Sequence, residues 1–241
     1  MLKTNDLCVC YSGSPDILQK LNISIDEGDS VAIVGKNGAG KSSLLLSLVG
    51  IAAISGGILK VCGLTMAKPN LPEIRKRTGL VFQNPDDQLF MPTVYDDIAF
   101  GPRNYGISEN EVKDAVLNIS SRFEISELLS RNAYRLSGGE KRLAALAAVL
   151  VMQPQLLLLD EPSSFLDPCA RRRLINLLSE LPQTKLIATH DLDLALDLCQ
   201  RVIILNKGSV IADGRTADLL RDEVLLTTNG LELPLSLGHK H

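Results

Sequence analysis

No apolar run in this 241-residue chain is long enough to cross a bilayer. The longest, residues 143–152, falls well short of the roughly 20 residues that a spanning helix needs. The opening residues, Met1-Leu2-Lys3-Thr4-Asn5-Asp6, lack the apolar stretch of a secretory signal. Any membrane role is therefore expected to come through a partner. A basic excess is also missing. Lys and Arg number 25 against 28 Asp and Glu, a net charge of −3, which argues against a sequence-independent nucleic-acid binder. Arg171-Arg172-Arg173 reads as a solvated helix face. Tryptophan is absent, and none of the five cysteines (Cys8, Cys10, Cys62, Cys169, Cys199) forms a CxxC pair. Five is odd, so a full set of intrachain disulfides is excluded and a reducing compartment fits better. Cys8 and Cys10 point to one face of a strand and read as small buried apolar side chains. Internal repeats, low-complexity tracts and heptads are lacking too.

What is present is an ordinary core-forming composition, 45% apolar and 22% charged. Residues 31–34, 156–159, 186–189 and 202–205 are short apolar runs, each followed by a turn or helix signal. That is the βα rhythm of an open, mostly parallel sheet. Residues 3–9 and 21–25 read as amphipathic strands of an N-terminal antiparallel β layer. Between 85 and 150 the texture turns helical, with Ser108 to Glu111 as a capping box. The chain therefore reads as one α/β domain: a core of residues 1–84 and 151–210, an inserted helical lobe at 85–150, and a tail at 211–241 that packs on the core. An Asp213-Gly214 turn and a helix over 217–226 are expected in the tail. His239 and His241 read as a terminal end rather than a metal site.

Gly35-Lys36-Asn37-Gly38-Ala39-Gly40-Lys41-Ser42 matches GxxxxGK[ST] at every fixed position. It follows an apolar strand and, with Ser43, opens a helix. Glycines let successive backbone N–H groups converge on phosphate oxygens, and the helix N-terminus adds its dipole. Lys41 would reach the β- and γ-phosphates of ATP, and the Ser42 hydroxyl would ligate Mg²⁺. Asp160 and Glu161 end a second apolar strand at the carboxyl edge of the sheet, where such folds bind ligands. Asp160 suits the Mg²⁺ shell. Glu161 suits a base polarising the attacking water.

Arg135-Leu136-Ser137-Gly138-Gly139-Glu140 places two glycines in the first turn of a long helix, each costing about 1 kcal/mol in a helix interior. The pair makes sense where a helix start approaches a phosphate closely. This stretch resembles the signature of ABC ATPases, a P-loop NTPase family with a RecA-like core and an inserted α-helical lobe. The resemblance covers nearly the whole chain. It implies that Ser137, Gly138, Gly139 and Glu140 read the γ-phosphate of nucleotide held by the other subunit of a homodimer or heterodimer. It implies that Tyr11 stacks on adenine, that Gln83 senses Mg²⁺ and joins core to lobe, and that Asp167 touches the opposing subunit. His190 is implied to contact the γ-phosphate. Two departures stand out: Glu140 where many relatives have Gln, and Phe165 where Gly is usual.

The stretch from Gly79 to Phe90, with Asp86-Asp87-Gln88 inserted, and Ile98-Ala99-Phe100-Gly101-Pro102 resemble the ATPases of energy-coupling-factor importers. Phe100-Gly101-Pro102-Arg103-Asn104 and Gly230-Leu231-Glu232-Leu233-Pro234-Leu235 resemble the cobalt/nickel branch. That likeness implies a peripheral subunit on the cytoplasmic membrane face, docked to a membrane scaffold and a separate substrate-binding membrane protein, without nucleic acid. Asp86 and Asp87 would receive basic side chains of the partner. Vitamins stay open as substrates, as do another ABC importer or exporter and a soluble, non-transport ABC ATPase.

Overall fold

The computed structural model describes residues 1–11 and 15–238; His239 and His241 lie outside them. The described chain divides into two compact units. The first comprises 1–80, 155–161 and the residues from Pro182 onward; the second comprises Val81–Pro154 and Pro162–Leu181.

A six-stranded sheet forms the centre of the first unit, in the order β11-β10-β4-β9-β8-β7. Strands β4 (Ser30–Val34), β8 (Leu156–Asp160), β9 (Thr184–Thr189) and β10 (Arg201–Asn206) are the four apolar runs, and they pair in parallel. All of β4 and β9 is buried, as expected of strands covered on both faces. The edges are β7 (Thr78–Val81) and β11 (Ser209–Arg215), the latter antiparallel to β10. Helices α1 (Lys41–Leu48) and α7 (Leu192–Leu198) follow β4 and β9, preserving the βα rhythm. Helix α2 (Leu71–Arg77) precedes β7, and α8 (Thr216–Leu219), α9 (Glu223–Thr228) and α10 (Leu235–Gly238) close the tail.

The N-terminal layer is a separate antiparallel sheet. Strand β1 (Leu2–Cys10) pairs with β2 (Leu18–Leu21), β3 (Ser24–Ile25) and β5 (Ala53–Val61), and β5 with β6 (Leu64–Thr65). Leu7, Val9, Leu18, Leu59 and Val61 join Val31, Ile33, Leu44, Leu48, Leu156 and Leu186 in one continuous core.

The structure departs from four local expectations. A bulge at Asp6 (φ 46) sets Leu7 and Val9 inward, so Cys8 and Cys10 share the outer face and are only half-buried. The 21–25 strand breaks in two, because the Asn22 side chain accepts from Asp6 N at 2.9 Å and donates to Lys20 O at 3.1 Å. Asp213-Gly214 is no turn: Gly214 pairs with Val202 inside β11, and Asp213 receives Arg201 Nε and Nη2 at 2.6 and 2.7 Å. The 217–226 helix is interrupted, and Asp222 starts a second helix by accepting from Leu225 N.

The second unit is helical, built from α3 (Val94–Asn104), α4 (Glu109–Arg122), α5 (Gly138–Leu150) and α6 (Pro168–Ser179). Each begins on a side-chain cap: Thr93, Ser108, Ser137 and Asp167. The Ser108–Glu111 and Ser137–Glu140 capping boxes are both closed. Residues 162–181 belong to this unit rather than to the core segment 151–210 expected for them. Tertiary packing explains the difference. Ala170 sits where a Cβ at Gly139 would lie 3.2 Å from it, and Arg173 Nη2 donates to Phe123 O at 2.8 Å. Among the described residues no helix is long and apolar enough to cross a membrane.

Candidate functional site

The first unit carries the loop between β4 and α1. Gly38 (φ 81) and Gly40 (φ 104) take left-handed backbone that other residues adopt only under strain. A Cβ on Gly35 would run into the Leu205 carbonyl, and one on Gly40 into the Leu18 side chain. Lys36, Asn37 and Gly38 face solvent, Ala39, Gly40, Lys41 and Ser43 are buried, and Ser42 is half-buried at the helix start. The result is a narrow backbone cradle of the kind that takes a polyphosphate.

Lys41 Nζ donates to Gly35 O at 2.7 Å and lies 3.6 Å from Glu161 Oε1. Glu161 follows β8 with a positive φ of 44 and is 5% exposed. Its Oε2 accepts from Thr189 Oγ1 and His190 N, both at 3.1 Å, and lies 2.8 Å from His190 Nδ1. Glu161 and His190 are thus gathered from two strand ends, and Lys41 from the start of α1. Asp160 stands beside them in sequence at the end of β8. The Ser42 hydroxyl and Asp160 carboxylate are hard oxygen donors, the set that suits Mg²⁺. Tyr11 is 39% exposed, with its hydroxyl 3.4 Å from Ser43 Oγ.

The second unit carries Gln83, Ser137, Gly138, Gly139, Glu140 and Asp167. Glu140 accepts from Ser137 N at 2.7 Å, and these Ser137 hydrogen bonds hold its carboxyl below the usual carboxylate range. Ser137 through Glu140, Phe165 and Asp167 line a cavity of about 380 Å³. The Asp167 carboxylate accepts from Cys169 N and Ala170 N, both at 2.9 Å, so it caps α6. Phe165 is 90% exposed and has φ 64, the backbone conformation that a glycine there would take without strain. Asp86 and Asp87 are both exposed, and Asp86 is also paired to Lys141 Nζ at 2.6 Å.

Residues 18–164 match the ABC transporter family. The chain belongs to that family. A Geobacter sulfurreducens protein named for an ABC transporter ATP-binding role is 47% identical over 98% of this chain and 95% of its own length. The energy-coupling factor transporter ATP-binding protein EcfA of Methanothermobacter thermautotrophicus is 39% identical over 97% of this chain and 77% of its own. The solved cbiO1 of Clostridium perfringens, part of the ABC transporter complex cbiONQ, superposes with a TM-score of 0.83 at 35% identity, covering 94% of this chain and 93% of that one. The protein is accordingly an ABC transporter ATP-binding subunit, and its enzymatic activity is ATP hydrolysis.

The roles of three residues in this ABC subunit escaped the sequence reading. Thr189 touches Glu161, and Arg142 and Gln88 hold the backbone around Gln83. Thr189 carries no pattern signal, being one more β-branched residue in an apolar strand. Arg142 follows Lys141 as an ordinary pair of basic residues. Its burial, at 2% exposed, is visible only in three dimensions.

Proposed function

We propose that this subunit powers an energy-coupling-factor importer, and that its nucleotide is Mg²⁺-ATP. Ser42 and Asp160 would hold the metal, Gln83 would sense it, and Lys41 reaches the β- and γ-phosphates. Tyr11 stacks on the adenine. Glu161 polarises the attacking water and His190 contacts the γ-phosphate. Two such chains, or this chain and a related ATPase, pair head to tail, so that Ser137, Gly138, Gly139 and Glu140 of one close over the nucleotide on Gly35 to Ser43 of the other. Asp167 meets the opposing subunit.

The observation that carries the chemistry is the environment of Glu161. One carboxylate oxygen is held by Thr189 and His190, and the other faces Lys41 at 3.6 Å. When Lys41 turns to phosphate, that second oxygen is released toward water, while the first keeps the carboxylate aimed.

The exposed Phe90–Phe100 pair, with centroids 5.0 Å apart at 84°, supports a docking surface for a membrane scaffold subunit. Asp87 lies on the same segment as a charged neighbour. The energy-coupling-factor assignment is supported by the names of the relatives, and the cobalt or nickel substrate by the resemblance of residues 100–104 and 230–235. The subunit would then sit at the cytoplasmic membrane face.

The test is copurification of tagged protein with its membrane partners, followed by ATP-driven uptake of Co²⁺ or Ni²⁺ in vesicles. Glu161→Gln should bind ATP, accumulate as an ATP-bound dimer and hydrolyse at least ~100-fold more slowly. Phe90→Ser should weaken scaffold docking and leave basal hydrolysis intact. Wild-type turnover by Glu161→Gln would refute the base, and uptake of a vitamin in place of metal would refute the substrate.

A further inference from the structure

The segment that carries Gln83 is tied to one helix at several points. Arg142 lies in the second turn of α5, with Nη1 donating to Phe82 O at 2.8 Å and Nη2 to Gln83 O at 2.6 Å. Gln88 doubles the tie: its Oε1 accepts from Phe82 N at 3.3 Å, and its Nε2 donates to Ala145 O at 2.7 Å. Lys141 adds the ion pair to Asp86. Residues 141, 142 and 145 of α5 therefore hold 82, 83, 86 and 88. None of these bonds uses the Gln83 amide, and the side chain remains exposed.

The residue type matters. A guanidinium fork reaches two successive carbonyls with two donors in a fixed plane, which a lysine ammonium cannot reproduce. Burying a cation is costly, and an apolar side chain of similar volume often serves stability as well or better. An arginine that is 2% exposed at this site is thus better explained by what it holds than by packing.

We propose that Arg142 is a positioning residue. It locks the Phe82–Gln83 backbone to α5, so Gln83 assumes its working position only together with the helix that begins at Gly138. The residue proposed to sense metal and the helix start proposed to read the partner's nucleotide are in this way one mechanical piece. The proposal rests on the reading of Gln83 given above.

A double-mutant comparison tests it, using Gln83→Ala, Arg142→Lys and the combination in the full chain. ATPase is measured across a Mg²⁺ titration, alongside Mg²⁺-free binding of a fluorescent ATP analogue. Arg142→Lys should lower kcat and raise the Mg²⁺ requirement by about 10- to 100-fold, the range for residues that orient a metal site. Mg²⁺-free nucleotide affinity should hold. In the Gln83→Ala background the same substitution should cost less than about twofold, because both changes act through one group. A full loss in both backgrounds overturns the proposal. Gln83→Ala with wild-type Mg²⁺ dependence overturns the underlying reading instead. Gln88→Met cuts the second tie and keeps the arginine, so it serves where Arg142 variants lose the fold. It should raise the Mg²⁺ requirement in the same direction, and no change would also overturn the proposal.

Discussion

His190 presents two nitrogens to a single oxygen of Glu161, its backbone N at 3.1 Å and its ring Nδ1 at 2.8 Å. The geometry follows from chain order: His190 is the first residue past β9, and β8, which precedes Glu161, is its parallel neighbour. The imidazole is therefore held in orientation while its side chain stays 61% exposed.

Thr189 also donates to that oxygen, and its hydroxyl accepts from Asp191 N at 3.0 Å. Thr189→Val keeps the shape and removes both bonds from a wholly buried position. Leaving buried partners unsatisfied should lower unfolding stability by about 1–3 kcal/mol. Urea denaturation with an unchanged m-value is the measurement, and ATPase should fall as Glu161 loses an anchor. Wild-type stability would mean that the His190 contacts suffice.

Gly35 has no room for a side chain, since a Cβ would meet the Leu205 carbonyl and lie 3.0 Å from Ala39 Cβ. The first obstacle is backbone of a buried strand, which cannot give way cheaply. Gly35→Ala should displace the loop and weaken ATP binding by at least about tenfold, or ~1.4 kcal/mol. Titration with a fluorescent ATP analogue decides this; an unchanged Kd would show that the cradle tolerates the shift.

Phe165 offers the opposite sign. Its backbone is left-handed and its side chain is 90% exposed, so removing the ring forfeits almost no buried area. Asn adopts this conformation more readily than an aromatic residue does. Phe165→Asn should leave the isolated subunit as stable or stabilise it by up to about 1 kcal/mol, as read from the urea midpoint. Clear destabilisation would mean that the ring packs on a surface of its own chain.

Asp97 supplies a pH test. Its Oδ1 accepts from Phe90 N (2.9 Å) and Met91 N (3.0 Å), while burial pushes its carboxyl above the ordinary range, with Asp96 adding in the same direction. A raised native pKa means that the folded state holds the proton more tightly than the unfolded chain. The group therefore favours folding at low pH and loses that contribution as pH rises through the native value. Asn keeps an acceptor for both N–H groups and has no charge to bury. Asp97→Asn should gain stability relative to wild type at neutral pH, and the gain should shrink on acidification through the carboxylate range. Urea unfolding at several pH values checks it; a gain that grows on acidification would reverse the assignment.

The sequence by itself determined the parts whose chemistry is local. The phosphate loop, the four apolar strands and the helix caps each follow from residues adjacent in the chain. A glycine frees its own backbone, a Ser or Asp caps the next three residues, and apolar runs mark strands buried on both faces. The tertiary structure alone decided what depends on pairing across distance. Parallel register brought Thr189 and His190 to Glu161, a bulge at Asp6 turned Cys8 and Cys10 outward, and packing on α5 drew residues 162–181 into the helical unit. It also gave Lys141 to Asp86 and buried Arg142 against the Gln83 backbone. A basic pair on a helix reads the same whether it faces water or two carbonyls, because which face is covered depends on neighbours folded in from elsewhere in the chain.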